Sequence, residues 1–227
     1  MRILLCLLFF SPSLLLAQKI PTAFLAVDGV FNSELIAPYD ILQHSIYRDP
    51  KNYFDCYIVS PDGKPVKTAE GLTVQAHYSF ANCPNPQVLI IPSTEGSMGK
   101  DLKNPVYMGW LKKKVASAKA VITLCDGAFP LAHTGALNGL NATTFPGDQE
   151  AFAKKYAEVI VHRDVLFVQH HKYITSVGGA KSYEPALYLA HRWFGEAHAK
   201  RLAQGLVIDW DLSKIPHKTF GTMPPKP

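Results

Sequence analysis

Short apolar runs alternate with amphipathic stretches along most of the chain. Residues 22–27 (Thr-Ala-Phe-Leu-Ala-Val) run into Asp28-Gly29 and predict a buried first strand. Residues 34–47 carry Leu35, Ile36, Tyr39, Ile41, Leu42 and Ile46 and predict a helix. Ser33 is its expected N-cap, and Pro38 falls early enough to be tolerated. Residues 52–60 predict a second strand, and Pro61-Asp62-Gly63-Lys64-Pro65 a turn. Residues 66–68 and 72–74 predict a small accessory hairpin. Residues 88–92 predict a third core strand, followed by a loop at 93–99. A helix over 105–117 sets Val106, Trp110, Leu111 and Val115 on one side and leaves Lys112, Lys113 and Lys114 in solvent. Residues 119–124 predict a fourth strand that ends at Cys125.

Helix resumes to about residue 136, and residues 142–144 read as a short strand. A helix follows at 148–157, then a hairpin of 159–161 with 165–169 around His162-Arg163-Asp164. Residues 174–176 predict the last strand, before Gly178-Gly179. Helices at about 181–194 and 197–208 close the domain. Residues 213–227 hold four prolines and are expected to form a Pro-rich tail without regular structure, after a domain at 18–212. Alternating helices and short strands, apolar on both faces, define an α/β class with a parallel sheet covered on both sides. Ligands in such sheets bind at the carboxyl ends of the strands.

Composition narrows the classes. A chain of 227 residues suits one α/β domain, and 48% apolar residues exclude disorder. A net charge of +5 is too mild to argue for nucleic acid, and no such partner is expected. No Gly-x-Gly-x-x-Gly or Walker motif supports a nucleotide, and no cofactor is expected. Met1-Arg2 is followed by an apolar run, broken by Ser11-Pro12-Ser13, that ends at the small residue Ala17. This is the pattern of a signal peptide at 1–17, cleaved after Ala17, so export to the periplasm or outside the cell is expected. The run is short of the about 20 residues a spanning helix needs, so no stable membrane insertion is expected after cleavage. No cysteine follows Ala17 to carry a lipid anchor.

Cys6 would leave with that leader, and Cys56, Cys83 and Cys125 would remain. An odd number leaves at least one thiol unpaired, and pairing of Cys56 with Cys83 is open. No Cys-x-x-Cys is present. Cys125 stands out because Val121-Ile122-Thr123-Leu124 runs straight into it and Asp126-Gly127-Ala128 leads into helix. A side chain at such a junction sits on a sharp turn near helix amides, which favour a thiolate. With serine, the same geometry is the nucleophile elbow of hydrolases. Cys125 is therefore the candidate centre. His162, His170 and His171 lack helical spacing or a carboxylate companion, so no metal site is expected. His133 lies about 12 Å along its helix from Cys125, beyond direct contact. Trp193, Phe194 and Trp210 are expected to pack in the core or a dimer contact.

From residue 23 to about 208 this order of parts resembles the ThiJ/PfpI superfamily, kin of the parkinsonism-associated deglycase and the isonitrile hydratases. The elbow Leu124-Cys125-Asp126-Gly127-Ala128 carries the likeness, with Leu131-Ala132, Gly135-Ala136-Leu137-Asn138-Gly139, Glu34 four residues before Pro38, and Ile174 to Gly179. The resemblance implies a flavodoxin-like three-layer sandwich, related to class I glutamine amidotransferases, and a homodimer. It implies that Cys125 is a nucleophile or oxidisable thiol, with Glu34 against its sulfur as protonated donor or proton shuttle. A carboxylate beside a thiolate repels it, so that arrangement needs a raised pKa on Glu34. Amides of Asp126 and of the Thr94-Glu95-Gly96 loop would form an oxyanion hole. Glu95 is a candidate for substrate contact, although loop acids are usually just solvated.

Two departures stand out. Thr143-Thr144-Phe145 places phenylalanine where many members carry histidine, and Ser93-Thr94 replaces Gly-Gly after the third strand. Asp126, after the cysteine, could serve as acid or base, or merely cap the elbow helix. The expected activity is a cysteine-dependent hydratase, hydrolase or lyase acting on a small electrophile, an isonitrile or a carbonyl compound. The rival is a ligand-binding or redox-sensing protein of the same fold without turnover.

Overall fold

A computed structural model describes residues 18–227; the signal peptide expected at 1–17 lies outside the described residues. The first half runs β1 (Gln18–Leu25), α1 (Asn32–Arg48), β2 (Asn52–Ser60), β3 (Val66–Lys67), β4 (Thr73–Val74), β5 (Tyr78–Ser79), β6 (Val88–Ile91), α2 (Pro105–Ser117) and β7 (Ala120–Leu124). The second runs α3 (Ala128–His133), β8 (Asn141–Ala142), α4 (Gln149–Lys155), β9 (Ile160–Val161), β10 (Phe167–His170), β11 (Tyr173–Ser176), α5 (Tyr183–Phe194), α6 (Glu196–Gly205) and β12 (His217–Phe220). Eight strands form the central sheet in the order β12-β10-β11-β7-β6-β1-β2-β5. Neighbours are parallel except β10 and β11. This is the flavodoxin-like α/β sandwich.

Alternation along each central strand feeds two cores. Phe24, Ile90 and Ile122 face α1, α5 and α6, where Ile41, Leu187 and Leu202 close the layer. Leu25, Leu89 and Val121 face the other side, against Trp110 of α2, Phe129 of α3 and Phe152 of α4. The chain passes from β2 back across β1 to reach β6, so strand order reverses between β1 and β6. The crevice at that reversal is where such sheets bind ligands. Asn104 caps α2 by accepting from the amides of Val106 and Tyr107 (3.0 and 3.1 Å), and Pro105 fills the first position.

Several local expectations change. Helix α1 starts from Phe31, not Ser33, and no side chain caps it. Lys114 is buried rather than in solvent, because its ammonium reaches the Cys83 carbonyl (3.4 Å). Residues 159–161 and 165–169 do not pair with each other. Strand β9 lies parallel to β8, and β10 forms its hairpin with β11. The tail is not structureless: β12 pairs with β10, and Met223 is buried. The domain therefore extends past the boundary expected at residue 212. Cys56 and Cys83 are both free thiols. Trp193 and Trp210 pack in the core. Among the described residues, no helix is long and apolar enough to cross a membrane.

Candidate active site

The segments that follow β1, β6 and β7 meet at the crevice. The first two are stapled together: the Phe31 amide donates to the Ser93 carbonyl (3.2 Å) and the Glu95 amide to the Gly29 carbonyl (3.0 Å). Between them Val30 and Thr94 form an isolated bridge. The third segment is the elbow, a single 3-10 turn at Cys125–Gly127 leading into α3. Cys125 has φ +53°, a left-handed conformation that costs an L-residue about 1–2 kcal/mol. Close packing holds it there. A Cβ on Gly127 would fall 2.1 Å from the Ile91 carbonyl oxygen, so only glycine lets the turn sit on the end of β6.

Cys125 opens onto a cavity of about 490 Å³. Phe31, Met98 and Phe145 supply its apolar wall; Glu34, Asp126 and Asp148 join the thiol among its titratable groups. Glu34 is buried in the first turn of α1 and is hydrogen-bonded to the Cys125 sulfur. Its Oε2 accepts from the Ser93 amide (2.8 Å), and the Gly179 amide is a further donor to the carboxyl. Burial nevertheless pushes the Glu34 carboxyl up to about 7. The sulfur accepts from the Asp126 amide. Burial, together with the facing carboxyls of Glu34 and Asp126, still drives the thiol well above its ordinary range. The expected thiolate-favouring field is thus outweighed, and the resting group is a thiol hydrogen-bonded to Glu34. Asp126 is also pushed up to about 7, by burial first and by the charge of Asp148 second.

The expected oxyanion loop is built differently. The Thr94 amide donates to Ser97 Oγ (2.9 Å), the Glu95 amide to Gly29, and the Gly96 amide to Thr94 Oγ1 (3.0 Å). All three are committed within the scaffold, so of the expected donors only the Asp126 amide is aimed at the Cys125 sulfur. Thr94 and Glu95 do line the cavity; Gly96 instead packs on the Asp101 carboxyl, which bonds Thr94 Oγ1. A Gly-Gly pair would lack the hydroxyl that makes this clamp. Phe145 occupies the cavity wall at the place the resemblance gives to histidine.

Asp148 and Thr144 complete the site, and sequence reasoning assigned neither a role there. Asp148 reads as an ordinary helix start. Thr144 Oγ1 lies 3.0 Å from both the Cys125 carbonyl and Asp126 Oδ1. The histidines stand elsewhere. His162 Nε2 contacts Asn141 Oδ1 (2.7 Å), His170 Nδ1 accepts from the Asn141 amide (2.8 Å), and His133 faces Tyr156 (3.5 Å). Among the described residues, no group of three or more His, Cys, Asp or Glu side chains is arranged to hold a metal.

A parallel α/β sheet with a cysteine on a strained elbow, faced by a buried carboxyl from the first helix, defines the class of protein. Residues 21–191 match the DJ-1/PfpI family, and the chain belongs to that family. It is 28% identical over 121 residues to isonitrile hydratase of Pseudomonas putida, across 53% of this chain and 50% of that protein. It is 25% identical over 159 residues to the HTH-type transcriptional regulator CdhR of Pseudomonas aeruginosa, across 70% of this chain and 45% of the regulator. The chain thus spans half or less of each of these two relatives, one an enzyme and one a regulator. Among solved structures, a ThiJ/PfpI family protein from Pseudomonas syringae superposes with a TM-score of 0.74 at 20% identity, covering 91% of this chain and 83% of that one.

Proposed function

We propose that this protein is a cysteine-dependent hydratase or hydrolase acting on a small electrophile, an isonitrile or a carbonyl compound. The observation that carries the reading is the contact of the Glu34 carboxyl with the Cys125 sulfur inside a cavity with an apolar wall. A buried thiol is a poor nucleophile until a base takes its proton, and a carboxyl poised near 7 is matched to that task at neutral pH. Glu34 takes the proton as sulfur attacks carbon, and the Asp126 amide steadies the sulfur. The likeness to isonitrile hydratase supports an isonitrile as first substrate to try. The test is turnover of a panel of isonitriles and aldehydes by the wild type and by Cys125→Ser. Loss of turnover in the variant is expected; unchanged turnover would sink the reading.

A second reading, ligand binding or redox sensing without turnover, is favoured by the commitment of the Thr94, Glu95 and Gly96 amides. Peroxide treatment followed by intact mass distinguishes it, since a sensor adds oxygen at Cys125 under conditions that leave Cys83 unchanged. Export after cleavage at Ala17 and assembly as a homodimer belong to the same proposal, supported by the leader pattern and the family likeness. N-terminal sequencing of the secreted material and sedimentation test them.

A further inference from the structure

Asp148 stands at the N-terminal flank of α4, where an aspartate ordinarily caps the helix, yet its side chain makes no capping hydrogen bond. It lines the Cys125 cavity instead, and its carboxyl is hydrogen-bonded to that of Asp126. The segment that presents it is fixed. Buried Gln149 donates through Nε2 to Thr143 Oγ1 (3.1 Å), and the Thr143 amide donates to Thr175 Oγ1 on β11 (2.9 Å).

Two carboxylates in contact repel, so such a pair persists with one proton between them. Thr144 helps to hold Asp126 in place: its hydroxyl donates toward both the Cys125 carbonyl and Asp126 Oδ1, each at 3.0 Å. A carboxyl pair with a single proton offers an acid and a base at the same place.

We propose that Asp126 and Asp148 form the acid–base unit of this site, holding one proton between them, and that Asp148 is a catalytic residue that activates water against the sulfur-bound carbon. This rests on the cysteine-enzyme reading above. The substrates it fits are electrophiles whose adduct with Cys125 keeps a carbon–nitrogen double bond. Sulfur bonds to the isonitrile carbon, one carbon–nitrogen π pair moves to nitrogen, and Glu34 passes the thiol proton to the lone pair on that carbon, which leaves Glu34 ionised for the later step. Water attacks that carbon: the C–O bond forms, one water proton passes to Asp148, the π pair moves to nitrogen, and nitrogen takes the proton of Asp126. The C–S bond then breaks with its electron pair left on sulfur. The hydroxyl proton reaches sulfur through Glu34, and an amide departs. Asp148 returns its proton to Asp126 across their hydrogen bond. Water is added and nothing is oxidised or reduced.

The titratable groups facing Asp126 are Asp148, Glu34 and Cys125; Glu95 lines the same cavity from the β6 loop. The experiment compares wild type with Asp148→Asn, Asp148→Glu and Cys125→Ser in three readouts: turnover of the isonitrile panel, intact mass during turnover, and carbon-13 carboxyl NMR of aspartate-labelled protein. Asp148→Asn is expected to lose about 100-fold or more in turnover while the mass of a covalent adduct on Cys125 accumulates. Asp148→Glu regains part of the rate. The Asp126 carboxyl, assigned by its disappearance in Asp126→Asn, titrates at lower pH once the facing charge is gone. Wild-type turnover by Asp148→Asn with an inactive Cys125→Ser overturns this proposal and leaves the enzyme reading standing. So does a slow Asp148→Asn that traps no adduct and leaves the Asp126 titration unmoved. Unchanged turnover by Cys125→Ser overturns the enzyme reading and the catalytic role of Asp148 with it, while the titration separately decides whether the carboxyls share a proton.

Discussion

A Cβ on Gly178 would stand 2.5 Å from the Cys125 Cβ and 2.6 Å from its amide nitrogen. Gly178 also has φ +75°, which L side chains rarely adopt. The strained cysteine and the bare glycine therefore fix each other. Gly178→Ala must adopt an unfavourable backbone and push the elbow off the end of β11. The expected cost is about 2–5 kcal/mol, from about 1–2 for the left-handed alanine and about 1–3 for overpacking. Urea unfolding measures it. A midpoint equal to that of the wild type would show that the elbow is not held from this side.

Rate against pH should be bell-shaped and narrow. Glu34 must be ionised to accept the thiol proton, so the rate rises as pH passes about 7. Asp126 must be protonated to act as acid, so the rate falls as pH passes about 7. The two limbs belong to the cluster rather than to single residues. They nearly coincide, and the maximum lies near 7. Asp126→Asn should lower the maximum and remove the alkaline limb, read as kcat/KM over pH 5–9, roughly two units either side of that midpoint. A limb that survives in this variant would assign the acid elsewhere.

Stability carries a second signature of the same burial. Glu34 binds its proton more tightly folded than unfolded, since its folded value is about 7 against 4.5. The folded state therefore holds the extra proton between those values, and stability falls as pH rises through that window. Below 4.5 the carboxyl is protonated in both states and the favourable contribution is complete. Above 7 an ionised carboxylate is left buried beside Asp126. Glu34→Gln keeps the shape without that charge. It should gain on the wild type by up to about 3 kcal/mol as pH goes from 5 to 8.5. Melting temperatures of the two proteins across that range measure it, and parallel curves would contradict the buried charge.

What could be read from the sequence follows how local each signal is. The elbow is local: an apolar strand running into Cys125-Asp126-Gly127 announces both the candidate thiol and the turn. Helix α2 is equally local and falls where its pattern places it, and the structure adds Asn104 as its cap. The site role of Glu34 is legible only through the family resemblance, because helix periodicity alone puts an acid in the first turn on the surface. The Asp126–Asp148 pair joins residues on two different elements, and only the fold of the 143–149 segment onto β11 brings them together. The commitment of the Thr94–Gly96 amides depends on hydroxyls and a neighbouring loop, which no spacing reveals. Strand β9 pairs with β8 rather than with the next apolar run, and a two-residue strand carries too little pattern to choose between them.

The tail gives the sharpest case. His217–Phe220 is an edge strand, half exposed and polar in pattern, so neither periodicity nor β-propensity marks it against the nearby prolines. Yet the Leu166 amide donates to the Pro216 carbonyl (2.7 Å) and the His171 amide to the Phe220 carbonyl (3.0 Å). Beyond the strand, Met223 is buried and Trp193 Nε1 donates to the Pro224 carbonyl (3.0 Å). Ending the chain after Lys214 would expose Trp193 and the unpaired edge of β10. Losing the methionine contributes about 1.5–3 kcal/mol and the indole hydrogen bond about 0.5–1.5. The truncated protein should therefore unfold at least about 2 kcal/mol more easily and should self-associate through the bared edge. Urea unfolding and light scattering of the truncated and whole proteins test this. Equal stability in solution would mean that the tail is not held on the sheet.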